Sequence, residues 1–436
     1  MSAFLFGIFG LIVLVSIAWL FSNNKKKISW RIVFIGIGLQ LIFAVFVLKT
    51  PWGSLIFDGI GSFFVKIIGF TNDGAKFVFG ALADQNIFRK AFSEELQNTG
   101  VGFLFAFQVL PTIIFFSSLM SVLYHMGIMQ RVVQGMAWVM AKLMNVSGAE
   151  SISVAANVFI GQTEAPLVVR PYVSSMTSSE LLTLMIGGMA TIAGGVLAAY
   201  VSLLGGGDPA QQLLYAKHLL SASIMAAPAT MVISKILVPE TQESKTMGMV
   251  SLKIERTSSN IIDAAATGAA DGLKLALNVA GMLLAFIALI SMLNWILESV
   301  FTDLIGLTIA GQPVTMEILL GYLLSPIAYV IGVPWSDSVT VGSLIGQKIV
   351  INEFVAYLKL SSIIPTHALS EKAIIISTYA LCGFANFSSI AIQLGGIGGI
   401  APDRRGDLAR FGLRAVLGGS LATFMTATIA GVLVSL

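Results

Sequence analysis

Two acidic residues lie in stretches otherwise apolar enough to enter a membrane. Glu164 sits in Asn157-Val158-Phe159-Ile160-Gly161-Gln162-Thr163-Glu164-Ala165-Pro166, and Glu353 in Asn352-Glu353-Phe354-Val355-Ala356-Tyr357. An ionisable group at membrane depth is costly to bury and marks a functional position by default. Gly161 and Pro166 bracket a tight, non-helical tip, where amides and carbonyls released from helical bonding are free to bind. A third cluster, Gly383-Phe384-Ala385-Asn386-Phe387-Ser388-Ser389, combines a helix break, a carboxamide, two hydroxyls and two rings. Carboxylates accept hydrogen bonds, carboxamides donate and accept, and rings stack, so the set suits a neutral ligand rich in hydroxyls and ring edges. An isolated Asn or Ser in such a stretch ordinarily bridges two helices. Three clusters at matching places in two halves favour a binding site.

The elements that must hold these residues are membrane helices. Of the 436 residues, 56% are hydrophobic and 11% charged, with a mean hydropathy of +0.90. Soluble domains carry roughly 25% charged residues, so the bilayer must cover the surface. A span needs about 20 apolar residues. Eight stretches qualify: Met1–Ser22, Ile32–Leu48, Val101–Tyr124, Leu181–Gly206, Leu219–Pro239, Leu275–Leu297, Ala373–Pro402 and Ala415–Leu436. Met1–Ser22 lacks the basic flank and the small-residue cleavage site of a signal peptide. Residues 147–178 (with Asn157, Gln162, Glu164 and Arg170) and 334–360 (with Asp337, Lys348 and Glu353) fit poorly as spans. Each is long enough to enter, turn and return, which is tolerated where protein or a water-filled cavity covers the backbone. Ile318–Trp335, with Pro326, reads as a ninth span or as a broken helix before the second re-entrant stretch.

Basic residues near span ends set orientation. Lys25-Lys26-Lys27 with Arg31, the 240–272 loop with Lys245, Lys253 and Arg256, and Arg404-Arg405 with Arg410 and Arg414 all read as cytoplasmic. Both termini, and the turn Gly205-Gly206-Gly207-Asp208-Pro209, are then outside. A weak echo, with Gly161-Gln162 and Tyr172 recurring 185 residues on as Gly346-Gln347 and Tyr357, points to two related halves. Each is followed by a Ser-Glu pair, Ser179-Glu180 and Ser370-Glu371, opening an apolar helix with a polar break. Two spans and a loop separate the hairpins, so the second enters from the opposite face. Such inverted repeats characterise secondary transporters, whose site lies between the halves.

Several chemistries are excluded. No P-loop signature supports ATP hydrolysis, and no HExxH or GxSxG motif supports a membrane hydrolase. The single Cys382 excludes an internal disulfide framework and a Cys-based zinc site, and His125, His218 and His367 stand alone in the sequence. A channel would need repeated polar rings along a pore. A net charge of +3 gives no reason to expect nucleic acid as a partner.

Gly161-Gln162-Thr163-Glu164-Ala165-Pro166-Leu167-Val168-Val169-Arg170-Pro171, Asn352-Glu353-Phe354-Val355-Ala356-Tyr357 and Cys382-Gly383-Phe384-Ala385-Asn386 resemble the concentrative nucleoside transporter family. The similarity runs through nearly the whole chain, including Lys25-Lys26-Lys27 and Arg404-Arg405-Gly406-Asp407. The resemblance implies an all-α integral membrane protein with eight transmembrane helices, two oppositely oriented re-entrant helical hairpins and an inverted-repeat transport core on a scaffold domain. It also implies a homotrimer in the lipid of a bacterial cytoplasmic membrane, importing nucleosides such as uridine, cytidine and adenosine by an elevator-like movement. The corresponding division is 1–146 (N-terminal spans, interfacial helix, scaffold span), 147–239 (first transport half), 240–333 (loop, scaffold span, outer helix) and 334–436 (second transport half). Carried over residue by residue, Gln162, Thr163, Glu164 and Val196 match the nucleobase contacts, and Glu353, Asn386 and Ser389, with Phe384 beside them, match the ribose contacts. The sodium site maps to Asn157, Ile160, Thr191 and Ile192, the isoleucines through their carbonyls. Thr191 stands where the family has Ser, which keeps a hydroxyl and leaves the affinity in question. Thr163-Glu164-Ala165-Pro166 follows the sodium-coupled wording of the hairpin, and oxygen-only ligation suits a hard cation. The alternative is a proton-coupled carrier in which Glu164 or Glu353 takes the proton.

Overall fold

The computed structural model describes residues 3–84, 87–88, 90, 92, 104–248 and 258–435. Lys253, Arg256 and the expected span start at Val101 lie outside them. The described chain is helical apart from a small hairpin, β1 (Thr308–Ile309) with β2 (Gln312–Pro313). Helices α1 (Ala3–Leu20), α2 (Trp30–Lys49), α3 (Pro51–Phe79), α4 (Leu110–His125) and α5 (Ile128–Met144) come first. A helix, a break and two helical turns follow: α6 (Gly148–Asn157), α7 (Ala165–Val168) and α8 (Arg170–Val173). Then come α9 (Ser178–Ala190), α10 (Gly194–Gly205), α11 (Pro209–Leu237), α12 (Ile261–Leu297) and α13 (Met316–Val330). The chain closes with α14 (Ser338–Val350), α15 (Glu353–Ile363), α16 (Glu371–Ala380), α17 (Phe387–Ile400) and α18 (Arg405–Val434).

Among the described residues eight helices are long and apolar enough to cross a membrane, and seven of them coincide with expected spans. Ala373–Pro402 folds as two short helices, α16 and α17, because Gly383 takes a φ of 153° and interrupts the hydrogen-bond ladder. Pro51–Ala83 joins the set instead, started by Thr50, whose hydroxyl accepts from Gly53 N at 3.0 Å, with Pro51 in the first turn. The expected 240–272 loop is shorter, since α12 begins at Ile261, capped by Asn260 accepting from Asp263 N at 2.9 Å. At 1.5 Å per residue the 37 residues of α12 run about 55 Å, well beyond a hydrocarbon core of ~30 Å. Pro326 lies inside an unbroken α13.

Burial separates centre from edge. The best span windows of α9–α10, α11 and α18 are 89% buried, while that of α12 is 17%. Helices α9, α11, α16 and α18 pack against one another, whereas α12 packs along α4. That edge pair approaches closely through glycine. A Cβ on Gly268 would lie 2.6 Å from Ser121 Cβ, and one on Gly272 would lie 2.8 Å from Ile114 Cα. Ser118 Oγ adds a 2.8 Å bond to Ala265 O.

The order helix, break, helical arm, short helix, break, helix, long helix occurs twice, from α6 to α11, where α7 and α8 together form the arm, and from α14 to α18, where α15 does. The echo at a separation of 185 does not survive at residue level. Gly161-Gln162 lies in the break between α6 and α7, whereas Gly346-Gln347 is inside α14. The first break spans residues 158–164 and the second only Ile351-Asn352, so the two arms fall out of register. The described parts of the three basic loops gather at one end of the molecule: Asn23 N donates to Leu237 O at 2.9 Å, Thr177 Oγ1 to Glu240 at 2.7 Å, and Arg404 Nη1 to Met176 O at 2.5 Å.

Candidate functional site

Glu353 opens α15 directly after the break in the second hairpin. The break holds its shape because Asn352 caps α15, accepting from Val355 N at 3.0 Å. The Glu353 carboxylate is buried and met by two donors: Tyr200 Oη at 3.0 Å on one oxygen and Asn386 Nδ2 at 3.0 Å on the other. Asn386 is itself fixed as the cap of α17. Its Oδ1 accepts from Ser389 N at 2.9 Å and Ser388 Oγ at 2.7 Å, which turns its amide toward Glu353. Tyr200 is held from behind by rings, with centroids 4.3 Å from Tyr357 and 4.7 Å from Phe354.

The first hairpin reaches the same place. Gln162 Nε2 donates to Ser389 Oγ at 3.1 Å, and Gln162 Oε1 accepts from Gln393 Nε2 at 3.1 Å. Gln393 also donates to Met185 O at 2.9 Å. Ser389 thus links the Gln162 cluster to the Asn386–Glu353 cluster through one turn of α17. The two helix breaks are stacked: a Cβ at Gly383 would lie 2.7 Å from Met189 O and 3.0 Å from Ala190 C, so only glycine permits this approach. Thr163 packs over Gly396, where a Cβ would stand 3.1 Å from Thr163 Cγ2. Val196 is buried one turn before Tyr200 on the same face of α10. Phe384 is half-buried in the second break.

Glu164 does not join this group. Its side chain is exposed and its carboxylate lies over Gly161. Tyr200, Gln393 and Lys348 were not singled out from sequence as site residues. Gln393 carried a signal, since it follows Ser389 by four residues and shares its helix face. Tyr200 carried none, because a tyrosine in an apolar helix reads as core.

A second group surrounds Asn157 at the end of α6. Its Nδ2 donates to Ser153 O at 3.0 Å, while its fully buried Oδ1 has no partner among the described residues. A Cβ on Gly187 would stand 3.3 Å from Asn157 Nδ2, placing α9 beside it. Thr191 Oγ1 donates to Gly187 O at 2.8 Å, so its proton is used along its own helix and its oxygen keeps lone pairs to accept with. Gly194 N donates to Phe159 O at 3.0 Å and ties the hairpin tip to the break after α9. Among the described residues no donor pairs with the carbonyls of Ile160 or Ile192. A buried, unpartnered carboxamide oxygen beside neutral oxygens fits a hard monovalent cation. No group of three or more His, Cys, Asp or Glu residues that could hold a metal ion occurs among the described residues.

A third polar network is structural. Ser147 and Thr177 cap α6 and α9, each in a reciprocal box with Glu150 or Glu180. Lys235 pairs with Glu150 at 2.7 Å, both side chains buried, and donates to Ser179 Oγ at 3.0 Å. Ser244 and Thr246 donate to Glu180, and Gly148 N donates to Thr246 O at 2.7 Å. The segment after α11 is thereby strapped across the starts of α6 and α9.

Three family profiles match the chain. They are described as Na+ dependent nucleoside transporter N-terminus (residues 9–82), nucleoside recognition (residues 106–207) and Na+ dependent nucleoside transporter C-terminus (residues 218–431). An uncharacterized transporter of Bacillus subtilis, YutK, is 44% identical over 99% of both chains. Solute carrier family 28 member 3 of Mus musculus is 39% identical over 97% of this chain and 58% of its own length. Among solved structures, CNTnw in an inward-facing substrate-bound state superimposes with a TM-score of 0.88 at 42% identity, covering 99% of this chain and 98% of the other. A variant of CNTnw in an outward-facing state gives 0.90, also at 42% identity and with the same coverage. These relatives are transporters rather than enzymes, and their likeness spans both hairpins, both breaks and the long helices around them. The chain belongs to the concentrative nucleoside transporter family.

Proposed function

We propose that this chain imports nucleosides by coupling their entry to inward sodium flow. The observation that carries this reading is the buried Glu353 carboxylate, oriented by Tyr200 and Asn386, one helical turn from the Gln162–Ser389–Gln393 cluster. A carboxylate offers about four acceptor positions, and two side chains occupy one each, which leaves acceptors for sugar hydroxyls. Gln162 both donates and accepts, which suits an amide-like base edge such as those of uridine, cytidine or adenosine. Glu353, Asn386, Ser389 and Phe384 are assigned to ribose, and Gln162, Thr163 and Val196 to the base. Glu164 is assigned to the base through closure of the tip over the substrate.

Sodium is assigned to Asn157, Thr191 and the carbonyls of Ile160 and Ile192, supported by the unpartnered Asn157 Oδ1. The ion would fix the tip of the first hairpin against the break after α9, and with it Gln162. Coupling follows because each ligand then orders what the other needs, and such coupling is reciprocal. The hairpins α6–α8 and α14–α15 are read as re-entrant from opposite faces. Segments 147–239 and 334–436 form the moving halves; 1–146 and 240–333 supply the scaffold. The exposed apolar faces of α12 suit lipid and neighbouring copies in a homotrimer, with both termini outside a bacterial cytoplasmic membrane. The movement is elevator-like.

The test is uptake of labelled uridine into proteoliposomes under an inward sodium gradient, with choline replacing sodium as control. Uptake that requires sodium and is competed by cytidine or adenosine supports the reading. Uptake driven by a pH gradient and indifferent to sodium replaces it with the proton-coupled reading, and no nucleoside uptake under either gradient rejects both.

A further inference from the structure

Among the described residues, Lys348 is the fully buried cation of the second half. It lies on α14, two residues before the helix ends, and is fully buried. Its ammonium donates to Ala380 O at 2.8 Å, the last residue of α16, and to Thr423 Oγ1 at 3.1 Å on α18. The Phe424 ring lies 5.9 Å away. No carboxylate pairs with it directly among the described residues, although its charge reaches Glu353. A buried, unpaired charge is retained only where something repays it.

The corresponding place in the first half explains the arrangement. There α6 ends at Asn157, α9 ends at Ala190, and the candidate sodium ligands gather around the break that follows. In the second half α14 brings Lys348 to the end of α16, again just before the break. The hydroxyls play the same part from different elements, Thr191 at the end of α9 and Thr423 on α18. Thr191 spends its proton on Gly187 O, and Thr423 spends its proton on Ser420 O at 3.0 Å, so each leaves lone pairs for a positive group. One turn before each acceptor of Lys348 stands a buried hydroxyl without a partner among the described residues, Ser377 before Ala380 and Ser420 before Thr423. The second break therefore has an oxygen-lined cation position, and the position is filled by a side chain.

We propose that the Lys348 ammonium is a tethered cation occupying, in the second half, the place that sodium takes in the first, so that one sodium rather than two accompanies each nucleoside. This rests on the sodium-coupled reading of the site. The tethered charge balances Glu353 without an ion having to arrive, and it closes the second break in every state of the cycle.

The first measurement uses the wild-type protein in proteoliposomes, comparing the fluxes of labelled sodium and labelled uridine. A ratio of one sodium per uridine is expected; a ratio of two overturns the proposal while leaving the sodium-coupled reading intact. Absence of sodium-dependent uridine flux overturns both. The second measurement compares two variants by uridine binding against sodium concentration. Lys348→Ser removes the charge and opens space lined by oxygens. A second sodium is then expected to enter, changing the dependence on sodium from first order toward second order and restoring affinity at high sodium. Lys348→Met fills the space without a charge, so uridine affinity should fall roughly tenfold or more with no recovery at high sodium. If the two variants respond to sodium alike, or if both bind as the wild type does, Lys348 is a packing residue and the proposal fails. If neither variant folds, the wild-type ratio decides.

Discussion

Replacing Glu353 by Gln keeps the shape of the side chain and removes its charge, so it isolates what the carboxylate contributes. Tyr200 and Asn386 both donate to it. In the amide only one end accepts, so one of the two donors faces an NH2 group and is left unpaired. A hydrogen bond to a charged group contributes about 1.5–3 kcal/mol, against about 0.5–1.5 for a neutral one, and a buried unsatisfied donor costs about 1–3 kcal/mol. Loss of the charged acceptor for one sugar hydroxyl should therefore weaken uridine binding by about 1.5–3 kcal/mol, which is roughly 10- to 150-fold. Calorimetric titration of uridine into purified protein in saturating sodium measures this directly. A 2′,3′-dideoxy nucleoside lacks both ring hydroxyls and should change by a much smaller factor. Tyr200→Phe provides the second leg of a cycle, because it removes the donor that the amide cannot satisfy. In the Glu353→Gln, Tyr200→Phe double variant the losses should sum to less than the singles, with a coupling of about 0.5–3 kcal/mol. Additive losses, or equal losses for uridine and its dideoxy analogue, would refute the assignment of Glu353 to the sugar.

Three further outcomes are expected. Substituting Gln162 by Met should reorder affinities among uridine, cytidine and adenosine, read by competition for labelled uridine; a common loss for all three would make its contacts with Ser389 and Gln393 purely structural. Thr191→Ala should raise the sodium needed for half-maximal uptake by roughly 2- to 10-fold, the equivalent of one neutral ligand contact, while uridine affinity at saturating sodium stays near wild type. Loss of affinity at saturating sodium would place Thr191 in the nucleoside site instead. Lys235→Met leaves Glu150 buried without its partner and should destabilise the fold by about 3–5 kcal/mol, seen as a clear fall in melting temperature; an unchanged melting temperature would show that the capping hydroxyls alone hold the strap.

The site was legible where polarity interrupts an apolar run. Gln162, Glu353, Asn386 and Ser389 stand out because such groups are scarce in membrane segments, and the structure brings all four into one hydrogen-bonded chain. Glu164 looked equivalent to Glu353, but a seven-residue break has no periodicity from which a side-chain direction can be read, and it faces outward. The membrane class and the repeated order of elements followed from hydrophobic runs and break residues. The residue-level echo failed because the two breaks differ in length. Ala373–Pro402 was read as a span broken at Gly383 and Asn386, and the structure ends one helix before Gly383 and starts the next after Asn386. Pro51–Ala83 was passed over as a span because its four charged residues, Asp58, Lys66, Asp73 and Lys76, dilute the average.

The neutrality of the groups around Asn157 has a consequence for what powers the cycle. The buried Asn157 Oδ1 and the hydroxyl and carbonyls near it carry no net charge. A sodium ion seated there would add a full positive charge that nothing nearby cancels. The loaded and empty forms would then differ by one elementary charge, and the membrane potential would act on that difference. Moving one charge through the field provides about 2.3 kcal/mol per 100 mV. The inward, loaded stroke would be hastened by an inside-negative voltage, while the return of the empty carrier, with Lys348 and Glu353 balancing each other, would be nearly indifferent to it.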